Sequence, residues 1–200
     1  CCEQIKVNLG YMKHKLCMVG LASGLALGTL GYTHCCIEDI GILRSIPNLT
    51  IISPADSGEA VKAILASLNH KNSVYIRLTG ESNINQIYEE NYEFKIGQSI
   101  TLKKGRDITI FATGTMVEIA LECSKILNEN NIDAEIVNMH TIKPIDASKI
   151  KESSKSSKLI VSIEEHNIIG GLGSAIAERL VGFKNSPEQI FFGINDSYSE

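Results

Sequence analysis

Three short stretches hold residue types that could do chemistry. In "GYTHCCIED", His34 follows Thr33 and stands four residues before Glu38. An imidazole titrates near neutrality and can serve as a general acid, a general base or a hydrogen-bond donor. If a helix begins at Thr33, that hydroxyl caps it and Glu38 shares the face of His34. On spacing alone, a packing or capping histidine fits as well as a catalytic one.

The second stretch is "IEEHNIIGGLGS", where a strand-like run ends in Glu164, Glu165 and His166, and Gly170, Gly171 and Gly173 open a helix. Backbone N–H groups at a helix start can cradle an anion. The spacing is not the Gly-x-Gly-x-x-Gly of dinucleotide-binding turns, and two neighbouring carboxylates would repel a phosphate. Plain turn geometry or a domain contact explains the same glycines. In the third stretch, "NMHTIKPID", His140, Lys143 and Asp146 gather at a strand end, where α/β proteins often bind ligands. The alternative is that Pro144 and Asp146 simply start the next helix. His14 and His70 lie in polar surroundings and read as surface residues. No Gly-x-Ser-x-Gly elbow, phosphate-binding Walker loop or His-Glu-x-x-His motif occurs.

The elements that must position these residues follow from the apolar patterning. "LTIISPAD" and "SVYIRLTG" read as buried strands around the helix "SGEAVKAILASLNHK", whose Val61, Ile64, Leu65 and Leu68 share one face. Ile37, Ile40, Leu43 and Ile46 recur at helical spacing until Pro47. Residues 81–92 are polar and read as a linker. Beyond them, "FKIGQSITLKKG" suggests a hairpin. Strands "DITIFATG", "DAEIVNM", "KLIVSIEE" and "QIFFGI" then alternate with helices "TMVEIALECSKILNENN", "DASKIKESSKS" and "GGLGSAIAERLVG". Alternation of this kind means parallel sheets wound by crossover helices. The expected fold is α/β, with three-layer doubly wound sheets in two units, 1–88 and 89–200.

Composition narrows the function classes. Over 200 residues the apolar fraction is 44%, the charged fraction 21% and the net charge -4. That balance argues against nucleic acid as the main partner, since phosphate binding needs clustered Lys and Arg. No apolar run approaches the roughly 18 residues of a membrane helix, so no membrane partner is read. The six cysteines lack Cys-x-x-Cys spacing, which gives no metal site and suggests reduced thiols in a cytoplasmic protein. The chain starts at Cys1 without a methionine and stops at "NDSYSE", so it reads as a piece of a longer protein.

Taken in order, "EQIKVNLGYMKHKLCMVGLASGLALGTLGYTHCCIEDIGILRSIPNLTIISPADSGEAVKAI" resembles the pyrimidine-binding domain of the transketolase group of thiamine-diphosphate enzymes. "DITIFATGTMVEIALECSKILN", "VNMHTIKPID" and "EEHNIIGGLGSAIAE" resemble the C-terminal domain of that group. The resemblance implies an enzyme that transfers two-carbon ketol units between sugars or sugar phosphates, using thiamine diphosphate and magnesium. It implies a homodimer or a paired subunit, because the diphosphate-binding domain with its Gly-Asp-Gly magnesium motif comes from the other side of the cofactor. Neither that motif nor the glutamate that activates the cofactor is present in these residues, so no cofactor is expected on this chain alone.

Carried over residue by residue, His34 matches the histidine that points at substrate hydroxyls, and is the expected catalytic residue. Arg77 matches the arginine of the family's Ile-Arg segment, and joins His34 as an expected substrate-binding residue. Two positions depart from the pattern: Leu30 stands where a substrate-binding aspartate is usual, and Gly80 replaces a second arginine that grips the sugar phosphate. Related readings of the same resemblance are deoxyxylulose-phosphate synthase, a 2-oxoacid dehydrogenase beta-type subunit, and a non-catalytic homologue used for assembly.

Overall fold

A computed structural model describes residues 1–80, 85–88 and 91–198. In chain order, α1 (Cys2–Gln4) runs into a wider π-helical turn (Ile5–Tyr11), followed by β1 (Cys17–Gly20). Two 3-10 turns, Gly28–Leu30 and Tyr32–His34, precede α2 (Asp39–Arg44), β2 (Leu49–Ile52), α3 (Ser57–Asn69) and β3 (Ser73–Arg77). The second half holds β4 (Ile100–Lys103), β5 (Ile108–Ala112), α4 (Met116–Glu129), β6 (Ala134–Asn138) and β7 (Thr141–Lys143). It ends with α5 (Ala147–Ser156), β8 (Leu159–Asn167), α6 (Leu172–Leu180) and β9 (Glu188–Ile194). None of these helices is long and apolar enough to cross a membrane.

The strands form two sheets, ordered β1-β3-β2-β7 and β4-β6-β5-β8-β9. β1, β3 and β2 run parallel, and so do β6, β5, β8 and β9. Every residue of β2, β3 and β6 is buried, as expected of strands covered on both faces. The architecture is therefore the expected α/β fold with doubly wound sheets.

The two units are not independent. β7 leaves the second half of the chain and pairs antiparallel with β2, Ile52 opposite Thr141 and Ile51 opposite Lys143. Lys143 Nζ then donates to the carbonyls of Arg44, at 2.8 Å, and Ile46, which satisfies the exposed end of α2. One core follows from this exchange: Ile40, Leu43, Ile51 and Tyr75 from the first sheet pack with Phe111, Met139, Ile142 and Leu172 from the second. Fully burying a side chain such as Ile40 contributes about 1.5–3 kcal/mol.

Four local expectations are corrected. No helix starts at Thr33: residues 32–34 form a single 3-10 turn, Cys35 is extended, and α2 starts at Asp39. The suggested hairpin is one strand, β4, laid antiparallel on the edge at β6. The apolar face of α3 points outward, with Val61, Leu65 and Leu68 more than half exposed. The helix instead buries Glu59, Ala63 and Ser67, because small side chains let it lie close to its sheet and Glu59 has four partners there. The Glu59 carboxylate accepts from Ala55 N, Asn138 Nδ2 and the hydroxyls of Tyr88 and Tyr92. Finally, His14 is exposed as expected, but His70 is half-buried and pairs through Nε2 with Thr50 Oγ1 at 2.9 Å.

Candidate functional site

The carboxyl ends of β1 and β3 open toward a long glycine-rich segment, residues 21–36. Its base is an isolated antiparallel bridge between Gly24 and Cys36, with N···O distances of 2.8 and 3.0 Å. Ser23 N adds a bond to Leu78 O at 3.1 Å, just past β3. The segment turns at Gly31, whose φ of +83° few other residues adopt, and so enters the turn that carries His34. His34 is exposed. Its Nδ1 pairs with Thr33 Oγ1 at 3.0 Å, and Nε2 has no hydrogen-bond partner among the described residues. Leu21, Leu25, Leu27 and Leu30 lie exposed on the same segment.

Beneath this segment lies a buried ion pair. Arg77 Nε donates to both Asp39 oxygens, at 2.9 and 3.1 Å, and Tyr75 Oη donates to Asp39 Oδ2 at 2.8 Å. Arg77 Nη2 donates to two carbonyls, Cys36 and Glu165, each at 3.0 Å. With its side chain only 4% exposed, Arg77 is a strut under the His34 loop, and its Nε and Nη2 are committed to protein partners. The family-based expectation put Arg77 on the substrate; the structure places it one layer below the surface.

His166 belongs to the same foundation. Its Nδ1 faces the carbonyl of Asn167 at 2.7 Å and so must carry the proton, while Nε2 accepts from Gly41 N at 3.2 Å. Burial pushes the ring below the usual imidazole range, and the neutral tautomer is the one these partners require. Glu164 fills the place where an anion could have bound. Its two oxygens accept from Leu172 N at 2.6 Å and Gly173 N at 2.8 Å, capping α6. Burial raises this carboxyl to about 7, even though both bonds favour the charged form. Gly171 is glycine because a Cβ there would lie 1.9 Å from Glu164 Oε2. The glycine turn thus serves close packing around the chain's own carboxylate.

The third sequence cluster is also structural. Asp146 Oδ1 caps α5 through Lys149 N at 3.0 Å, and its Oδ2 accepts from Ser99 N and Oγ. Lys143 is spent on α2, as described above. His140 is fully buried and stacked on Phe94, ring centroids 4.2 Å apart. Burial pushes its ring down to about 4.

Two hollows flank the loop. One, of about 350 Å³, lies between Tyr32, Glu38, Asn167 and the tail residues Asp196–Tyr198. The other, of about 190 Å³, sits at the strand ends between Leu21, Pro54, Asp56, Ser57, Leu78 and Gly80. Asp56 is the one charged residue lining it. Leu30, the other departure from the family pattern, stands in the turn before Gly31 with its side chain exposed. Among the described residues, no group of three or more His, Cys, Asp or Glu side chains could hold a metal ion.

Sequence reasoning missed the roles of Asp39, Tyr75 and Glu165. A usable signal was present: an arginine inside the apolar strand "VYIRL" must be paired if it is buried. Nothing local, however, pointed to a partner 38 residues earlier.

Family models match across the chain, the transketolase pyrimidine-binding domain over residues 1–84 and the transketolase C-terminal domain over residues 97–190. One of the two subunits of an apulose-4-phosphate transketolase from Phocaeicola vulgatus is 35% identical over 179 residues, spanning 89% of this chain and 57% of the relative. A 6-deoxy-6-sulfo-D-fructose transketolase subunit from a Clostridium species is 37% identical over the full 200 residues and 61% of its own length. The solved structure of a split-gene transketolase, described as an inactive beta4 tetramer, superposes with a TM-score of 0.90 at 33% identity, covering 99% of this chain and 63% of that one. The chain thus spans about 60% of the length of the relatives it matches. With both domain models in the family's order and His34 standing clear on its braced loop, this chain belongs to the transketolase family.

Proposed function

We propose that this chain is the pyrimidine-side and C-terminal part of an enzyme that transfers two-carbon ketol units between sugars, with His34 facing the substrate. The observation that carries the reading is the contrast at His34: an imidazole left exposed with Nε2 unengaged, on a loop tied down at its base. Thr33 Oγ1 fixes the ring through Nδ1. Nε2 is then free to meet a substrate oxygen and to hold or move its proton during transfer.

Thiamine diphosphate, when bound, supplies the carbon nucleophile for such a transfer. The exposed leucines of residues 21–30 suit one face of a flat ring. The described residues offer no comparable donor set for a diphosphate and its magnesium ion. We assign those to a second subunit or a second copy carrying the diphosphate-binding domain, in line with relatives named as subunits. The boundary at residues 88 and 89 belongs to the same proposal.

The hollow beside Gly80 provides no cation from this chain to the far end of a substrate. An uncharged sugar end suits that lining, because a phosphate would face Asp56 without a charge-assisted partner. Arg77 enters the proposal through the loop it supports rather than through direct contact.

The test is turnover of the assembled enzyme, with cofactor and magnesium, for His34→Ala. We expect kcat to fall by about 10²-fold or more while cofactor affinity changes little, since the lost contacts are to reacting oxygens. An unchanged kcat would make His34 a structural residue and end this reading.

A further inference from the structure

We propose that Glu165 is a positioning residue that holds the His34 loop in register from the C-terminal half of the chain. Glu165 lies near the end of β8, far from the loop in sequence, yet it grips both strands of the loop's base. On the Gly24 side its carboxylate does the work: Oε1 accepts from Leu25 N at 3.1 Å. The carboxyl group is pressed so close that a Cβ on Gly24 would lie 2.4 Å from its Cδ and Oε2. Gly24, at a φ of +64°, is thereby fixed in a conformation that few other residues adopt. On the Cys36 side its main chain does the work: Glu165 O and Cys36 O accept from the same Arg77 Nη2, each at 3.0 Å. Gly24 and Cys36 are the two residues of the bridge that closes the loop, and His34 sits two residues before Cys36.

The remaining oxygen ties this grip to the second sheet. Glu165 Oε2 accepts from Thr115 Oγ1 at 3.2 Å, at the start of α4. One side chain thus joins the end of β8, the start of α4 and the His34 loop. Without it the loop keeps its own bridge but loses its anchor to the rigid sheet. A displacement of about 1 Å of a substrate-facing group can lower a rate by about 10²-fold.

This inference rests on the proposed role of His34, so the experiment separates the two. In the assembled enzyme, Glu165→Ala should lower kcat by about tenfold to a hundredfold. Glu165→Gln, which keeps one acceptor oxygen and guards against a folding failure in the alanine variant, should fall between. In the His34→Ala background, adding Glu165→Ala should slow the enzyme no further, because the histidine it positions is gone. Amide exchange across residues 25–36 should rise in Glu165→Ala and stay unchanged in His34→Ala. Independent, multiplying losses in the double variant would overturn the proposal, and so would unchanged exchange in the loop. A His34→Ala enzyme as fast as the wild type would instead sink the functional reading, leaving the exchange result to decide whether Glu165 holds the loop.

Discussion

His34 and His166 are separated in the fold by little more than the Asp39–Arg77 pair, and they live in opposite environments. His34 stands exposed on a short turn with one ring nitrogen unengaged. His166 is wholly buried, and both its nitrogens have partners. Around His34 the chain spends glycines and exposed leucines; around His166 it spends paired charges and capped helix ends. The comparison teaches that the polar "EEH" segment, although richer in chemical groups, is used up in support. The sparser "YTH" turn is the one left available to a ligand.

That contrast can be broken most severely from below. Asp39→Ala removes the carboxylate that Arg77 and Tyr75 share, and leaves a buried guanidinium without its counter-charge. Breaking a buried pair in this way costs about 3–5 kcal/mol. Denaturant unfolding of the variant checks it, and a loss below about 1 kcal/mol would contradict a foundation built on this pair.

A smaller effect is expected on acidification, through His140. Its folded value lies near 4, against an ordinary 6.5. A group depressed in this way contributes stability that is present above pH 6.5 and is lost as pH falls toward 4. The loss should reach about 3 kcal/mol across that window. His140→Asn, which can keep the bond to Thr141, should flatten this limb. His166 is lowered too and steepens the same fall. Glu164 has the opposite sign, since its carboxyl is raised to about 7: its contribution is present below about 4.5 and is lost as pH climbs. An acid limb identical in His140→Asn and the wild type would count against the buried neutral ring.

The smallest effect sharpens the comparison. His34→Ala should leave the unfolding midpoint almost unchanged, within about 0.5 kcal/mol, because an exposed side chain away from packed features contributes little. A loss of more than about 1 kcal/mol would place His34 among the supports with His166.

Much of the fold was legible from residue patterning. β2, β3, β5, β6 and β8 are short runs of β-branched and other apolar residues between turn signals, and α4 has clear helical spacing. β7 was not legible, because three residues between His140 and Pro144 carry no periodicity and their pairing with β2 is long-range. The orientation of α3 was not legible either. Its apolar stripe marked a helix correctly, but which face met the sheet was decided by Glu59 and its partners on β6 and the linker.

The same division runs through the site. By itself the sequence determined the kind of fold, the family, and the loop on which a substrate-facing histidine would sit, because these depend on residue types in a fixed local order. Only the tertiary structure decided that Arg77 is a strut, that Glu164 occupies its own anion cradle, and that Glu165 reaches back to Leu25. Those roles depend on which buried charge finds which partner. Burial makes an unpaired charge costly, but it does not say where along the chain the partner lies.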